Sequence, residues 1–333
     1  MEQLQTDGFI DNADEAKALK AKRKAQNRKH LIREVKEHKL VYLMILPVLL
    51  SYLIFEYYPM YGVVLAIKDF SPVKGILGSP FVEPLFSNFS KVFAAPYFWR
   101  AIKNTLIISG LKILICFPAP IFLALLLNEV RFKTVKKSIQ TFVYLPHFIS
   151  WVIFGSIVYD IFGFQGMVNN VIVSFGGTRK AFMSDTSLYY PILIGFSVLK
   201  DAGWASIIYL AAITNVSPSL YEAAEMDGCG RFGKMWNITV PCISGIITIQ
   251  FLLAIGNIMN AGFDAIFNTY NEQIYSVADI LDTYIYRIGI ANFNYEMGTA
   301  IGLFKSAINF ILLISANFFV KKINGTGIYD LGD

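Results

Sequence analysis

Six apolar runs alternate with polar segments along the chain. They cover residues 40–67, 104–128, 141–164, 188–213, 235–263 and 298–320. About 20 consecutive apolar residues are enough for a helix to cross the hydrocarbon core of a bilayer. In lipid, a helix satisfies its own backbone hydrogen bonds, so each run is predicted to be a transmembrane helix. The pattern therefore predicts an all-α, polytopic membrane protein with six transmembrane helices.

The composition supports this prediction and argues against a soluble metalloprotein. The chain is 55% hydrophobic and only 16% charged, with a mean hydropathy of +0.51. Soluble domains carry roughly 25% charged residues. The three cysteines and three histidines show neither the spacing of metal ligands nor that of a disulfide framework. We therefore expect no metal and no cofactor on this chain.

The distribution of basic residues predicts the orientation in the membrane. With the N-terminus inside, 18 Lys and Arg fall on the cytoplasmic side and 7 on the other. Cytoplasmic loops carry the excess of Lys and Arg, so both termini and the loop at 214–237 are predicted to be cytoplasmic. The segments at 68–100, 165–187 and 264–297 are then external.

Residues 1–38 form a separate basic region. Ten Lys or Arg lie between Lys17 and Lys39. A tail lying on anionic lipid explains them better than nucleic-acid binding does, and the charged lead is too long for a signal peptide. We expect a basic cytoplasmic tail at 1–38, a six-span domain at 39–323 and a cytoplasmic C-terminal tail at 324–333.

The cytoplasmic loop at 214–237 carries signals for a short helix. Ser217 followed by Pro218 suits a helix start, and Ser219 with Glu222 fits a capping box. Gly228 is predicted to end the helix in a conformation that a Cβ would strain. A second short helix should follow before the next span. The residues alone fit either a capped loop between two spans or a helix that docks a partner.

Two nucleotide-binding patterns overlap this loop and are misleading. Gly228 to Gly233 spell G-x-G-x-x-G, and Lys234 nearly completes a P-loop. Both motifs require a preceding buried strand, and the P-loop requires Ser or Thr where this chain has Met235. The preceding segment is polar and helical in character. ATP is therefore expected to act on a partner rather than on this chain.

The same loop resembles the signature of ABC-importer permeases, EAA-x3-G-x9-I-x-L-P. Val240 replaces the Leu of that pattern; the matching positions are Glu222, Ala223, Ala224, Gly228, Ile238 and Pro241. The segments YLPHFISW at 144–151 and GFDAIFNTYNEQIYSVADILDTYIYR at 262–287 are similar to a subgroup of the maltose-type carbohydrate permeases. That subgroup includes permeases linked to alginate and to pectin-derived oligosaccharides. The resemblance covers about residues 35–325.

The resemblance implies a type I importer permease that is not itself an enzyme and that lies in the bacterial cytoplasmic (inner) membrane. Its implied partners are a second homologous permease, an ATPase dimer that carries ATP and Mg²⁺, and an extracytoplasmic solute-binding protein that delivers an oligosaccharide. The loop at 214–237 would couple closure of the ATPases to alternating access. The matching residues of the loop are the candidate coupling residues.

The external segment 264–297 contains apolar residues at helical spacing. The stripe comprises Val277, Ile280, Leu281, Tyr284, Ile285 and Ile288, with Asp279, Asp282 and Arg287 elsewhere on the wheel. The stripe fits an interfacial helix that covers one end of the bundle of transmembrane helices. It also fits a surface that contacts an external binding protein.

Polar and aromatic residues inside the apolar runs are candidates for the substrate path. They are Lys112, Lys200, Trp204, Tyr209, Asn257, Asn260 and Lys305. Intramembrane charges normally face a cavity or a partner. The lysines suggest a positive cavity for an acidic, uronate-containing oligosaccharide, with a neutral one as the alternative; Lys200 could instead form a structural pair. The two asparagines could bind sugar or join helices, and aromatic residues inside a span are more often packing residues than residues that stack on a sugar.

Two other functions compete with an importer permease. A stand-alone secondary transporter or channel would need its own coupling site, and the sequence has no repeated half with matching broken segments. An intramembrane enzyme would need a nucleophile with a base or a metal cluster, and the apolar runs contain no group of His, Asp and Glu.

Overall fold

The computed structural model describes residues 37–324, which fall into two compact units, one ending at Gly62 and the other beginning at Val63. Within these residues the chain is helical and has no strand beyond a single antiparallel bridge between Lys68 and Phe81. Nearly all of both predicted tails, 1–38 and 324–333, lies outside the described residues.

The prediction of six transmembrane helices is confirmed. Among the described residues, six helical segments are long and apolar enough to cross a membrane. These spans 1 to 6 are Lys39–Ile67, Pro96–Asn128, Trp151–Ser174, Thr186–Thr214, Arg231–Gly256 and Tyr295–Lys322. Span 2 begins eight residues before the predicted run, because Pro96 starts a helix that carries polar residues outside the apolar stretch.

Spans 1, 2 and 5 each contain a π-helical turn shortly before a proline. The turns are Leu53–Tyr57, Lys112–Cys116 and Met235–Thr239, and they precede Pro59, Pro118 and Pro241. Proline donates no backbone hydrogen bond, and its ring crowds the carbonyl four residues earlier. A wider turn relieves this crowding without interrupting the span.

The remaining helical segments are α-helices and π or 3₁₀ turns of between 3 and 17 residues. In span 1 the order is Lys39–Tyr52, Leu53–Tyr57 and Pro59–Ile67. The segments outside the six spans are Gly75–Gly78, Ser87–Ala94, Lys133–Tyr144, Leu145–Phe148, Phe182–Ser184, Pro218–Met226, Phe263–Phe267, Glu272–Ile274, Tyr275–Ala278, Leu281–Ile285 and Tyr286–Ala291. Span 3 consists of Trp151–Phe162 and Met167–Ser174, and span 5 ends with Val240–Gly256.

Span 4 is the best buried of the six and packs on spans 2, 3 and 5. Its buried Tyr209, Leu210 and Ile213 share a core with residues of spans 2 and 5. On its other side it packs along the helix Lys133–Tyr144 and the turn Leu145–Phe148. The predicted third run, 141–164, therefore straddles two helices with a break between them.

The segment at 264–297, predicted to be external, is not the single interfacial helix that the apolar stripe predicted. The chain changes direction at Asp279, which is extended, and a continuous helical stretch begins only at Leu281. Asp279 is fully buried and binds Arg287 through both carboxylate oxygens, at 3.0 and 2.5 Å, with Arg100 at 3.8 Å. A helical wheel separates Asp279 from the core because it assumes an unbroken helix.

Candidate functional site

The loop at 214–237, predicted to be cytoplasmic, forms the short helix that its sequence predicted. The helix Pro218–Met226 has proline at its first position. The predicted capping box is wrong, because the N-cap is Ser217 and no side chain caps the helix; the hydroxyl groups of Ser217 and Ser219 lie 2.8 Å apart instead. Glu222 and Ala223 are exposed, so this face of the helix is accessible.

Gly228 ends this helix in the left-handed region, with φ of +76°. The prediction that a side chain would be strained there is confirmed. The predicted separate second helix is wrong, because Arg231–Lys234 continues through the π turn into span 5. Ile238 and Pro241 thus belong to span 5. The end of the loop, from Arg231 onward, and the span form one continuous helix.

Two side-chain contacts join the loop helix to the start of span 5. Tyr221 and Thr239 are hydrogen-bonded through their hydroxyl groups at 2.9 Å, and Lys234 forms an ion pair with Glu225. The hydrogen bond from Lys234 lowers the pKa of Glu225. The outward face carries exposed apolar side chains, among them Met226 and Phe232. The loop is internally tied and presents an apolar surface with an acidic residue, Glu222.

Lys200 lies midway along span 4 and is only 4% exposed. Its ammonium group donates to the carbonyl oxygens of Pro146, His147 and Ile149 at 3.2, 3.0 and 2.5 Å. A charge at the centre of a transmembrane helix costs about 2.5–3.5 kcal/mol on insertion scales. Hydrogen bonds from a charged donor contribute roughly 1.5–3 kcal/mol each, so three of them offset that cost. The ammonium is therefore fully engaged by backbone.

Asp201 pairs with His147, not with the adjacent Lys200. The His147 Nδ1 lies 3.1 Å from a carboxylate oxygen of Asp201, and the imidazole stacks flat on Trp204 at 4.8 Å. His147 and Asp201 line a cleft of about 440 Å³, and its wall also includes Asp264 and Asn268. Sequence reasoning missed these two residues, since they follow span 5 in the short helix Phe263–Phe267 and its cap.

A second cleft, of about 280 Å³, brings together Lys112, Asn257 and Asn260. Lys112 donates one hydrogen bond, of 2.7 Å, to the carbonyl of Ala261. The placement of both asparagines on one face of span 5 is wrong, because the helix ends at Gly256. They lie in the turn that follows, where the Asn260 amide donates to the Asn257 side chain at 3.0 Å.

The other path candidates are divided between this cleft and the external segment. Tyr209 is buried and lines a cleft that shares Asn257 with the Lys112 cleft and adds Gln250, a residue that sequence reasoning missed. Lys305 forms an ion pair with Asp282 of the external segment. Lys112 and Lys305 each have one described polar partner, but the partner of Lys112 is a neutral carbonyl group, whereas that of Lys305 is a carboxylate. Three carbonyl groups hold Lys200.

Six apolar helices, with polar side chains in the clefts between them and a tied loop at 214–237, are the features of a multi-pass membrane transport protein. Residues 117–325 match the family described as binding-protein-dependent transport system inner membrane component, and the chain belongs to this family. It is therefore a binding-protein-dependent sugar ABC transporter permease of the inner membrane. Its relatives include several transport system permease proteins.

Two relatives from Bacillus subtilis (strain 168) align over almost the whole chain. The polygalacturonan/rhamnogalacturonan transport system permease protein YteP is 43% identical over 92% of this chain and 95% of its own length. Protein LplB is 44% identical over 89% of this chain and 92% of its own.

Two solved structures have the same fold. One is a bacterial ABC transporter involved in the import of the acidic polysaccharide alginate, with a TM-score of 0.81 and 39% identity over 88% of this chain and 99% of that chain. The other is a bacterial alginate ABC transporter in complex with an alginate pentasaccharide-bound periplasmic protein, with a TM-score of 0.80 and 38% identity over 89% of this chain and 99% of that chain. The predicted resemblance to permeases linked to alginate and pectin sugars is confirmed.

Proposed function

We propose that this chain is the permease subunit of an ATP-driven importer for an acidic, uronate-containing oligosaccharide. The proposal rests on the exposed loop helix that Gly228 ends at positive φ. It rests equally on the similarity to proteins named for the transport of polygalacturonan/rhamnogalacturonan or alginate. A second homologous permease, an ATPase dimer carrying ATP and Mg²⁺, and an extracytoplasmic solute-binding protein complete the importer. Both termini and the loop face the cytoplasm.

Coupling depends on the geometry of the loop. ATPase closure moves the helix Pro218–Met226, and the contacts of Tyr221 with Thr239 and of Glu225 with Lys234 carry that motion into span 5. Since Arg231 begins a rod that runs without interruption to Gly256, displacement of the loop tilts the whole span. The end of this rod adjoins Asn257 and the Lys112 cleft.

The charges along the path favour Lys112 as the residue that receives a uronate carboxylate. Its ammonium has three N–H donors and makes one described hydrogen bond in a cleft open to a ligand. A hydrogen bond from a charged donor is worth about 1.5–3 kcal/mol, which corresponds to roughly 10- to 150-fold in affinity. Asp201 lies within electrostatic range of Lys112 and limits the positive potential.

The test compares uptake of an oligogalacturonate with uptake of its methyl-esterified, neutral counterpart by the complete importer in proteoliposomes. We expect ATP-dependent uptake of the acidic sugar and its selective weakening, about tenfold or more in KM, in Lys112→Gln. Lys103→Gln is the matched control, because Lys103 lies on the same helix and is exposed. Uptake without ATP would favour a secondary carrier, and equal loss of both sugars would remove Lys112 from carboxylate recognition.

A further inference from the structure

The helix that leads into span 3 is interrupted beside the middle of span 4. The helix Lys133–Tyr144 ends in a 3₁₀ turn at Leu145–Phe148, and helix resumes only at Trp151. Lys200 is the fifteenth of the 29 residues of span 4, about 21 Å from either end. Irregular backbone at such a depth persists only where protein or a cavity satisfies its polar groups.

Lys200 satisfies the backbone carbonyl groups of this break, and doing so uses all of its hydrogen-bond donors. The ammonium has three N–H donors, and residues 145–150, here called the break segment, offer three carbonyl acceptors at 2.5 to 3.2 Å. The rings of Trp151 and Phe154 lie 5.4 and 5.6 Å from the same nitrogen. No donor remains for a sugar carboxylate, and the group is buried.

The break segment in turn sets the side chains that face the neighbouring cleft. His147 is held between Trp204 and Asp201, and Trp151 begins the helix on the far side of the break. His147, Trp151, Lys200 and Asp201 line that cleft. If the three carbonyl groups were released, the turn would relax and both His147 and Trp151 would change position.

We propose that Lys200 is a positioning residue: it fixes the break segment so that His147, Trp151 and Asp201 form a wall that contacts the hydroxyl-bearing face of the transported sugar. This rests on the proposed function. Aromatic rings and carboxylate acceptors suit the uncharged face of a pyranose, whereas Asp201 and Asp264 repel a uronate carboxylate at this wall. Lys200 acts on both acidic and neutral sugars because it acts through the wall.

The test uses Lys200→Met, which keeps the length of the side chain and removes its donors, in the complete importer. Hydrogen–deuterium exchange should rise at least about tenfold in peptides that cover the break segment and stay unchanged in the helix Pro218–Met226. KM for the oligogalacturonate and for its methyl-esterified counterpart should rise by the same factor. Lys200→Arg, which keeps charged donors, should recover part of both effects.

Either of two results overturns the proposal. One is unchanged exchange of the break segment in Lys200→Met, and the other is a loss confined to the acidic sugar, which would make Lys200 a carboxylate-binding residue. If Lys200→Met does not assemble, Lys200→Gln, which retains two donors, is measured in the same way. If wild-type importer transports neither sugar, the proposed function fails, while the exchange result still decides whether Lys200 holds the break.

Discussion

Span 4 packs directly against the backbone of the helix Lys133–Tyr144 at Gly203. A Cβ at Gly203 would lie 2.5 Å from the carbonyl carbon of Val143, and nearer still to its oxygen. Carbon atoms in contact are normally about 3.5–4.0 Å apart. Replacing Gly203 by Ala therefore requires the two helices to separate by roughly 1 Å or more.

That separation would also lengthen the hydrogen bonds of Lys200, one helical turn away. Bonds of 2.5 to 3.2 Å would approach or pass the limit of useful hydrogen-bond geometry. Overpacking costs about 1–3 kcal/mol, and weakening one charged hydrogen bond adds about 1.5 kcal/mol or more. We therefore expect Gly203→Ala to destabilise the permease by roughly 3 kcal/mol.

Gly195 supplies the matched control, because it lies in the same helix and a Cβ there meets nothing within 4 Å. Gly195→Ala should be neutral or slightly stabilising, since Gly in a helix interior costs about 0.5–1 kcal/mol relative to Ala. Thermal unfolding of the detergent-purified complex, followed by loss of the monodisperse peak, compares the two variants. Equal behaviour of Gly203→Ala and Gly195→Ala would refute the close-packing argument.

Three further predictions concern coupling, orientation and the external segment. Gly228→Val should insert into the membrane but uncouple ATP hydrolysis from uptake, because φ of +76° strains a side chain; normal uptake with normal ATPase stimulation would contradict this. In a background without native cysteines, a cysteine at Thr134 should be shielded from an impermeant thiol reagent in intact cells and one at Ser184 labelled; the reverse pattern would invert the proposed orientation. Asp279→Ala should cost about 3–5 kcal/mol by leaving Arg287 unpaired, and adding Arg287→Met should restore part of the stability in the same unfolding assay; no recovery would show that the unpaired charge is not the cause.

The sequence was sufficient wherever a single segment determines its own structure. The number of spans follows from apolar length, because lipid leaves a chain few other ways to satisfy its backbone. The left-handed conformation of Gly228 follows from the break between two helical patterns, and it is confirmed. Family membership could likewise be predicted, since the loop motif is local and contiguous.

The sequence was insufficient where the partners lie far apart or where a helix ends unexpectedly. The acceptors of Lys200 are carbonyl groups more than 50 residues earlier, and a carbonyl group leaves no signature in the sequence. The prediction that Asn257 and Asn260 share one helical face assumes that span 5 continues past Gly256, where the helix in fact ends. Asp279 was misplaced for the same reason, since the helix there begins two residues later.

The π turn at Lys112–Cys116 has a consequence for how sequence positions correspond along span 2. Such a turn closes its hydrogen bonds over five residues rather than four, so it holds one residue more than the regular helix needs. Positions after Cys116 are therefore offset by about 100° from a wheel drawn from Pro96 onward. Deleting one residue inside the turn would leave the facing of both flanking helices intact, whereas the same deletion elsewhere in the span would rotate every later side chain. Alignments of this span should accordingly place any single-residue gap at Lys112–Cys116.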